Sequence, residues 1–122
     1  MNTIDILGEE EIFRNIVERT ITELEDSEIE VIGIYAFCSC SALTSVSLPA
    51  ATSIDNYAFE SCSALTTLYI GTESDTVCTL SNTNAIPSSV TDIYVPADLL
   101  DSYKTATNWS SFADKIKAYT GV

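Results

Sequence analysis

Apolar residues recur along this chain in a pattern that repeats after 22 positions. Residues 32–49 read IGIYAFCSCSALTSVSLP, and residues 54–71 read IDNYAFESCSALTTLYIG. One such unit has too little apolar surface to form a core of its own, so it must bury its inward side chains against the next unit. A period in this range is typical of a solenoid. The sequence therefore predicts an α/β repeat fold.

Each unit ends in a short alternating segment. Residues 43–48 read L-x-x-V-x-L, and residues 65–70 read L-x-x-L-x-I. Because side chains alternate across a strand, the apolar residues face the core and the polar residues between them face outward. Residues 90–95 fit the same strand at an offset of 25, and residues 21–26 fit it imperfectly, since Asp26 stands at an apolar position.

The spacing I-x3-A-F-x2-C-x2-L-x2-V/L-x-L/I begins at Ile32 and again at Ile54, and it resembles the BspA-type leucine-rich repeat. The resemblance covers roughly residues 20–96. The flanking units match only in the strand, and the last one lacks the Ala-Phe pair and the cysteine. The resemblance implies a short right-handed leucine-rich-repeat solenoid with stacked strands. It also implies a protein-binding or adhesion function, as in bacterial surface, secreted or phage-associated proteins.

Both ends of the chain have helical spacing and predict caps for the repeats. Residues 9–19 place four apolar residues on one helical face, with acids in the first turn and Arg19 in the last. Residues 97–104 have helical spacing behind a proline. An apolar pattern continues beyond them at Trp109, Phe112, Ile116 and Tyr119. We therefore expect one domain with an N-terminal helical cap (1–20), repeats (21–96) and a C-terminal helical cap (97–122).

Charge limits the choice of partner. The chain has 18 acidic and 5 basic residues, a net charge of −13, and no Lys or Arg between Arg19 and Lys104. Because such a chain repels phosphate backbones and anionic lipids, we predict no binding to nucleic acid or membranes. Basic or polar partners are favoured. The N-terminus lacks the features of a secretory signal, which leaves the cell surface, a phage particle and the cytoplasm open as locations.

Few residues could carry chemistry. The chain has no histidine, which removes Ser-His and Cys-His nucleophile pairs, and it has no glycine-rich phosphate loop. The acidic run of residues 23–30 lacks the spacing of a calcium loop and is interpreted as a solvated edge. We predict no enzymatic activity, no metal and no cofactor.

The repeat accounts for two of the four cysteines. Cys40 and Cys62 occupy equivalent positions, so both should point inward as small buried residues. The absence of histidine and of a C-x2-C motif argues against zinc. Free thiols are favoured, although a disulfide between neighbouring coils stays geometrically possible.

Outward residues of the stacked strands should form columns, because neighbouring strands lie about 5 Å apart. One column holds Glu25, Ser47, Tyr69 and Tyr94, and the other holds Glu23, Ser45, Thr67 and Asp92. Tyrosine beside hydroxyls and carboxylates suits a protein or glycan ligand, although Tyr and Thr are also common on exposed strands. The predicted binding residues are Ser45, Ser47, Thr67, Tyr69, Asp92 and Tyr94.

Two functions remain open at this point. The chain is either a recognition module that binds a protein or glycan through the exposed sheet, or a structural assembly component that docks through its terminal caps. Replacing Tyr69 and Tyr94 separates them, since only the recognition module should lose its partner. The ligand and the oligomeric state are not indicated by the sequence.

Overall fold

The computed structural model describes residues 2–4 and 22–120, and within them the chain alternates between two parallel β-sheets. The major sheet has the order β2-β4-β6-β8-β9 and the minor sheet the order β1-β3-β5-β7. The strands are β1 (Asn2–Ile4), β2 (Glu23–Glu25), β3 (Ile29–Ile32), β4 (Ser45–Leu48), β5 (Ser53–Ile54), β6 (Thr67–Ile70), β7 (Thr79–Leu80), β8 (Asp92–Pro96) and β9 (Ile116–Tyr119). Consecutive coils therefore give one strand to each sheet.

The core is built by the inward residues of both sheets, which form one hydrophobic cluster. Strands β4 and β6 alternate between half-buried and buried positions, as the sequence pattern predicts. Val46 lies beside Leu68, and Leu68 beside Ile93, so equivalent aliphatic side chains stack from coil to coil. Hydrophobic burial therefore fixes the register, because a slip by one residue would turn these side chains outward.

A ladder of threonines reinforces that register. Thr44, Thr66 and Thr91 precede β4, β6 and β8, and each donates both its backbone N–H and its hydroxyl to a carbonyl one coil earlier. The backbone N–O distances are 2.6, 3.0 and 2.9 Å, respectively. Threonine recurs at this position because its hydroxyl adds a bond across coils that an alanine could not make.

The turn between the minor and the major sheet contains two left-handed residues in each central coil. Tyr35 and Ser39 have φ values of 59° and 64°, and the equivalent Tyr57 and Ser61 have 58° and 63°. This turn directs Phe37 inward, where its ring stacks on that of Phe59 with 5.3 Å between centroids. The buried Cys62 thiol donates to the Phe37 carbonyl at 2.9 Å, which ties the two coils together.

Residues 97–115 close the end of the minor sheet. They comprise a 3-10 turn (Ala97–Leu99), helix α1 (Leu100–Thr105) and a second 3-10 segment (Trp109–Lys115). The Tyr103 hydroxyl accepts the Cys78 N–H at 2.8 Å, the Trp109 indole donates to the Cys78 carbonyl at 2.6 Å, and Asn108 donates to the Leu80 carbonyl at 2.6 Å. Side chains thus satisfy the backbone groups at this edge that a further strand would otherwise pair.

The structure corrects the prediction in two places. The pattern predicts one strand in each unit, but β3, β5 and β7 add a second sheet. A helical C-terminal cap is predicted through residue 122, but Ile116–Tyr119 form β9, which pairs with β8. A third 3-10 turn, Thr83–Ala85, lies in the coil that lacks the Ala-Phe pair. The predicted helix at residues 9–19 lies outside the described residues.

In the part of the chain that the structure describes, no helix has the length and apolar character needed to cross a membrane.

Candidate interaction surface

The strand register brings the predicted binding residues together on the outward side of the major sheet, which we call the tyrosine face. The pairings place one column as Glu23, Ser45, Thr67 and Asp92, and the other as Glu25, Ser47, Tyr69 and Tyr94. The six residues predicted as a binding surface are all half-buried, so each has part of its side chain in solvent and part held by neighbours.

Three tyrosines form an aromatic cluster on this face. The rings of Tyr69 and Tyr94 are stacked with centroids 4.9 Å apart and an interplanar angle of 13°. Tyr119 of β9 meets Tyr69 edge-on, with 5.8 Å between centroids and an angle of 82°. Offset-stacked and edge-to-face contacts are the favourable arrangements of aromatic rings, so the three rings stabilise one another on the sheet.

A charged pair lies at the β9 end of the face. The Lys117 ammonium donates to the Asp92 carboxylate, which also accepts the hydroxyl of Thr91 at 3.0 Å. These two hydrogen bonds lower the pKa of Asp92 below its usual range, and the bond from Lys117 has the larger effect. The bond to Asp92 in turn raises the pKa of Lys117. Both groups are therefore charged at neutral pH.

A groove of about 520 Å³ runs beside the aromatic cluster. Its residues are Glu23, Leu24, Glu25, Ser45, Ser47, Tyr69 and Tyr119. A second hollow of about 300 Å³ shares Glu25, Ser47 and Tyr119 with it and extends to Glu73. The tyrosine face therefore combines a concave surface of carboxylate and hydroxyl groups with tyrosine side chains at its wall.

Tyr119 and Lys117 belong to this surface but were not among the predicted site residues. The sequence pattern places Ile116 and Tyr119 in a helical cap, whereas the structure places them on β9. A period of two was visible in Ile116-Lys-Ala-Tyr119, with apolar Ile116 and Ala118 on one side of the strand. That alternation was the signal that could have placed both residues on the face.

The cysteines lie away from this face as thiols, and no disulfide joins them. Cys40 and Cys62 are fully buried and point inward, as predicted. Burial also raises the pKa of the Cys78 thiol to about 12. Within the described residues, no three side chains suited to a metal ion come together.

Parallel strands that repeat in register, with an aliphatic core behind them and a polar, aromatic face before them, define a repeat protein with an exposed sheet. The family model described as "BspA type Leucine rich repeat region (6 copies)" matches residues 8–99, well over half of the chain. The chain belongs to the BspA-type leucine-rich repeat family. Such repeats generally serve as non-enzymatic interaction or adhesion modules. A comparison with curated proteins found no match.

Proposed function

We propose that this protein is a recognition module that binds a partner protein or a glycan through the tyrosine face. The observation that carries the proposal is the cluster of Tyr69, Tyr94 and Tyr119 beside an open groove. Tyrosine is enriched at the energetic centres of interfaces, because it offers a large apolar surface and a hydrogen-bonding tip at a small cost in side-chain entropy.

The frame behind this face supports the same function. Five in-register strands in the described chain hold the outward side chains at fixed spacing, so little ordering is needed when a ligand arrives. In the proposed architecture the coils form a right-handed solenoid, with residues 1–20 and 97–122 as caps. Exposure at a cell surface or on a phage particle is the corresponding location.

Docking through the terminal caps, as a structural assembly component, is the competing function. The two functions depend on different residues, so one pair of variants separates them. In the first, Tyr69→Ala and Tyr94→Ala remove the stacked pair from the face. In the matched control, Tyr35→Ala and Tyr57→Ala remove the other stacked tyrosine pair, whose rings are 5.1 Å apart in a different part of the coil.

Photo-crosslinking to envelope and particle fractions of the source cell, with quantitative mass spectrometry, measures the partners of each variant. We expect the Tyr69/Tyr94 variant to lose the crosslinked partner and the Tyr35/Tyr57 variant to keep it, with circular dichroism showing both folded. Glycan arrays probed with the same variants cover carbohydrate ligands. An unchanged partner for the Tyr69/Tyr94 variant would contradict the proposal and favour docking through the ends.

A further inference from the structure

Both ends of one column on the tyrosine face carry a carboxylate, but the two carboxylates differ in whether a cation is paired with them. Glu23 and Asp92 belong to the column that runs through Ser45 and Thr67. At the β9 end, Lys117 neutralises Asp92 and stands in register with Tyr94. At the β2 end, neither Glu23 nor Glu25 has an ion-pair partner among the residues that the structure describes. Among the described residues, one end of the column is therefore balanced and the other is acidic.

The groove at that acidic end is lined by aromatic and carboxylate side chains, which together can bind an organic cation. Tyr69 and Tyr119, which meet edge to face, line it together with Glu23 and Glu25. An ammonium or guanidinium group gains from an aromatic face and from a carboxylate together, because both present negative potential to it. The groove volume of about 520 Å³ lies within the range of small-ligand pockets, so it has room for an extended cationic side chain.

Charge complementarity selects the same class of occupant. The chain carries a net charge of −13 and has no basic residue between Arg19 and Lys104, which includes all of β2 to β8. This field accelerates the approach of a cation and repels sulfated or sialylated glycans and acidic proteins. A neutral glycan would gain nothing from Glu23 and Glu25 as charges.

We propose that the groove lined by Tyr69, Tyr119, Glu23 and Glu25 receives a lysine or arginine side chain from a basic segment of a partner protein. The partner's cation takes the place at Glu23 that Lys117 takes at Asp92. This inference rests on the proposed function of the tyrosine face and names the class of ligand that the face binds.

The test uses the full chain and a fluorescein-labelled peptide of alternating lysine and glycine, followed by fluorescence anisotropy. Matched peptides with glutamine or glutamate in place of lysine, and a neutral glucose oligosaccharide as competitor, probe the other ligand classes. The variant Glu23→Gln/Glu25→Gln removes the groove carboxylates. The control Glu30→Gln/Glu60→Gln removes the same two charges from β3 and from a turn that lines a separate hollow.

We expect the lysine peptide to bind the wild type and the glutamine and glutamate peptides to bind at least about tenfold more weakly. The Glu23/Glu25 variant should lose about tenfold in affinity and the control less than about twofold, with the difference shrinking at high salt. Equal losses in the two variants would show general charge attraction and overturn the inference. Absence of lysine-peptide binding to the wild type would overturn it as well.

The experiments distinguish a wrong ligand class from a wrong binding surface. If the neutral oligosaccharide binds, and Tyr69→Ala abolishes that binding while Glu23→Gln/Glu25→Gln does not, the cationic ligand is wrong and the recognition face stands. If the tyrosine variant keeps every crosslinked partner, the recognition face itself is wrong.

Discussion

Cys78 and Tyr103 are ionisable side chains held neutral inside the fold. The Cys78 backbone N–H donates to the Tyr103 hydroxyl, and both residues are fully buried. Burial raises the pKa of Cys78 from 9.0 to about 12, and it raises that of Tyr103 from 10.0 to about 12. The neutral form is therefore kept in the folded state over a pH range in which both groups ionise in the unfolded chain.

Stability should accordingly fall in alkaline solution. A group whose folded pKa is raised contributes its full stability below the unfolded pKa and loses it as the pH rises toward the folded value. For Cys78 and Tyr103 that window runs from about pH 9 to about pH 12. We expect the urea midpoint to decrease across it and Cys78→Ala to show a shallower decrease. A urea midpoint that stays constant from about pH 8 to about pH 11 would contradict the raised pKa values of Cys78 and Tyr103.

The left-handed residues lay beyond sequence reasoning. Tyr35, Ser39, Tyr57 and Ser61 adopt positive φ without being glycine or asparagine, the residues that signal such a turn. Tertiary contacts hold them there, since the N–H groups of Tyr35 and Ser39 donate to carbonyls of the next coil at 3.3 and 2.7 Å. By contrast, the inward position of Cys40 and Cys62 followed from the repeat alone.

Between neighbouring coils, aromatic ladders connect one turn to the next. Phe37 and Phe59 stack inside the core with an interplanar angle of 4°, and Tyr35 and Tyr57 stack outside it with an angle of 6°. Only the inner ladder removes its rings entirely from water. The two pairs of rings have the same stacking geometry and differ in burial. Comparing alanine variants of the two pairs therefore measures the stability gained by burying the ring.

Phe59→Ala should destabilise the fold by about 3–5 kcal/mol, because it removes a buried ring and leaves a cavity between two coils. Tyr35→Ala, in which the lost ring is 39% exposed, should cost about 1 kcal/mol or less. Denaturant unfolding of the two variants gives both values. Equal losses would show that ring stacking, and not burial, stabilises the turn.

Strand β9 is held by its inward residue and not by its charges. Ile116 is 2% exposed beside Ile93, whereas the Lys117–Asp92 pair is open to solvent. We expect Ile116→Ala to cost about 2–4 kcal/mol, since it removes buried aliphatic surface. Lys117→Gln should leave the unfolding midpoint nearly unchanged at neutral pH, because exposed pairs contribute little.

The small contribution of the ion pair should be confined to pH values above the usual pKa of Asp92. Since the pKa of Asp92 is lowered, its contribution to stability is present at neutral pH and disappears as the pH falls below about 4. Thermal unfolding of wild type and Lys117→Gln is measured at neutral pH and below about pH 4. The small difference between the two proteins at neutral pH should disappear in acid. A large loss for Lys117→Gln at neutral pH would reverse the assignment.

Strands β2, β4, β6 and β8 of the major sheet were predictable because their alternating residues recur at an offset of 22 or 25. The minor sheet was not, since β5 and β7 contain two residues each and carry no alternation to detect. Strand β9 was missed because residues 97–105, which precede it, have helical spacing and do form helical turns. The prediction extended that helical spacing to the residues of β9. The groove could be placed only with the correction at β9, because Tyr119 lines it.

Over the whole molecule, like charges dominate. A net charge of −13 on 122 residues repels itself in the compact state, and the repulsion is screened within about 10 Å at 0.1 M salt. The melting temperature should therefore rise between about 0.01 M and about 0.15 M sodium chloride. Potassium chloride should give the same rise, which separates screening from a specific ion. A melting temperature that falls with salt would show that attractive pairs outweigh the repulsion.

Residues 32–49 and 54–71 are identical at 10 of 18 positions, and this equivalence has a consequence for the number of units that the fold can hold. Because β4 and β6 meet their neighbours through equivalent residues in one register, a duplicated or deleted unit would join the remaining coils by contacts that already exist. The length of the exposed surface, and with it the size of the ligand that it can span, therefore changes with the number of units and needs no new packing solution.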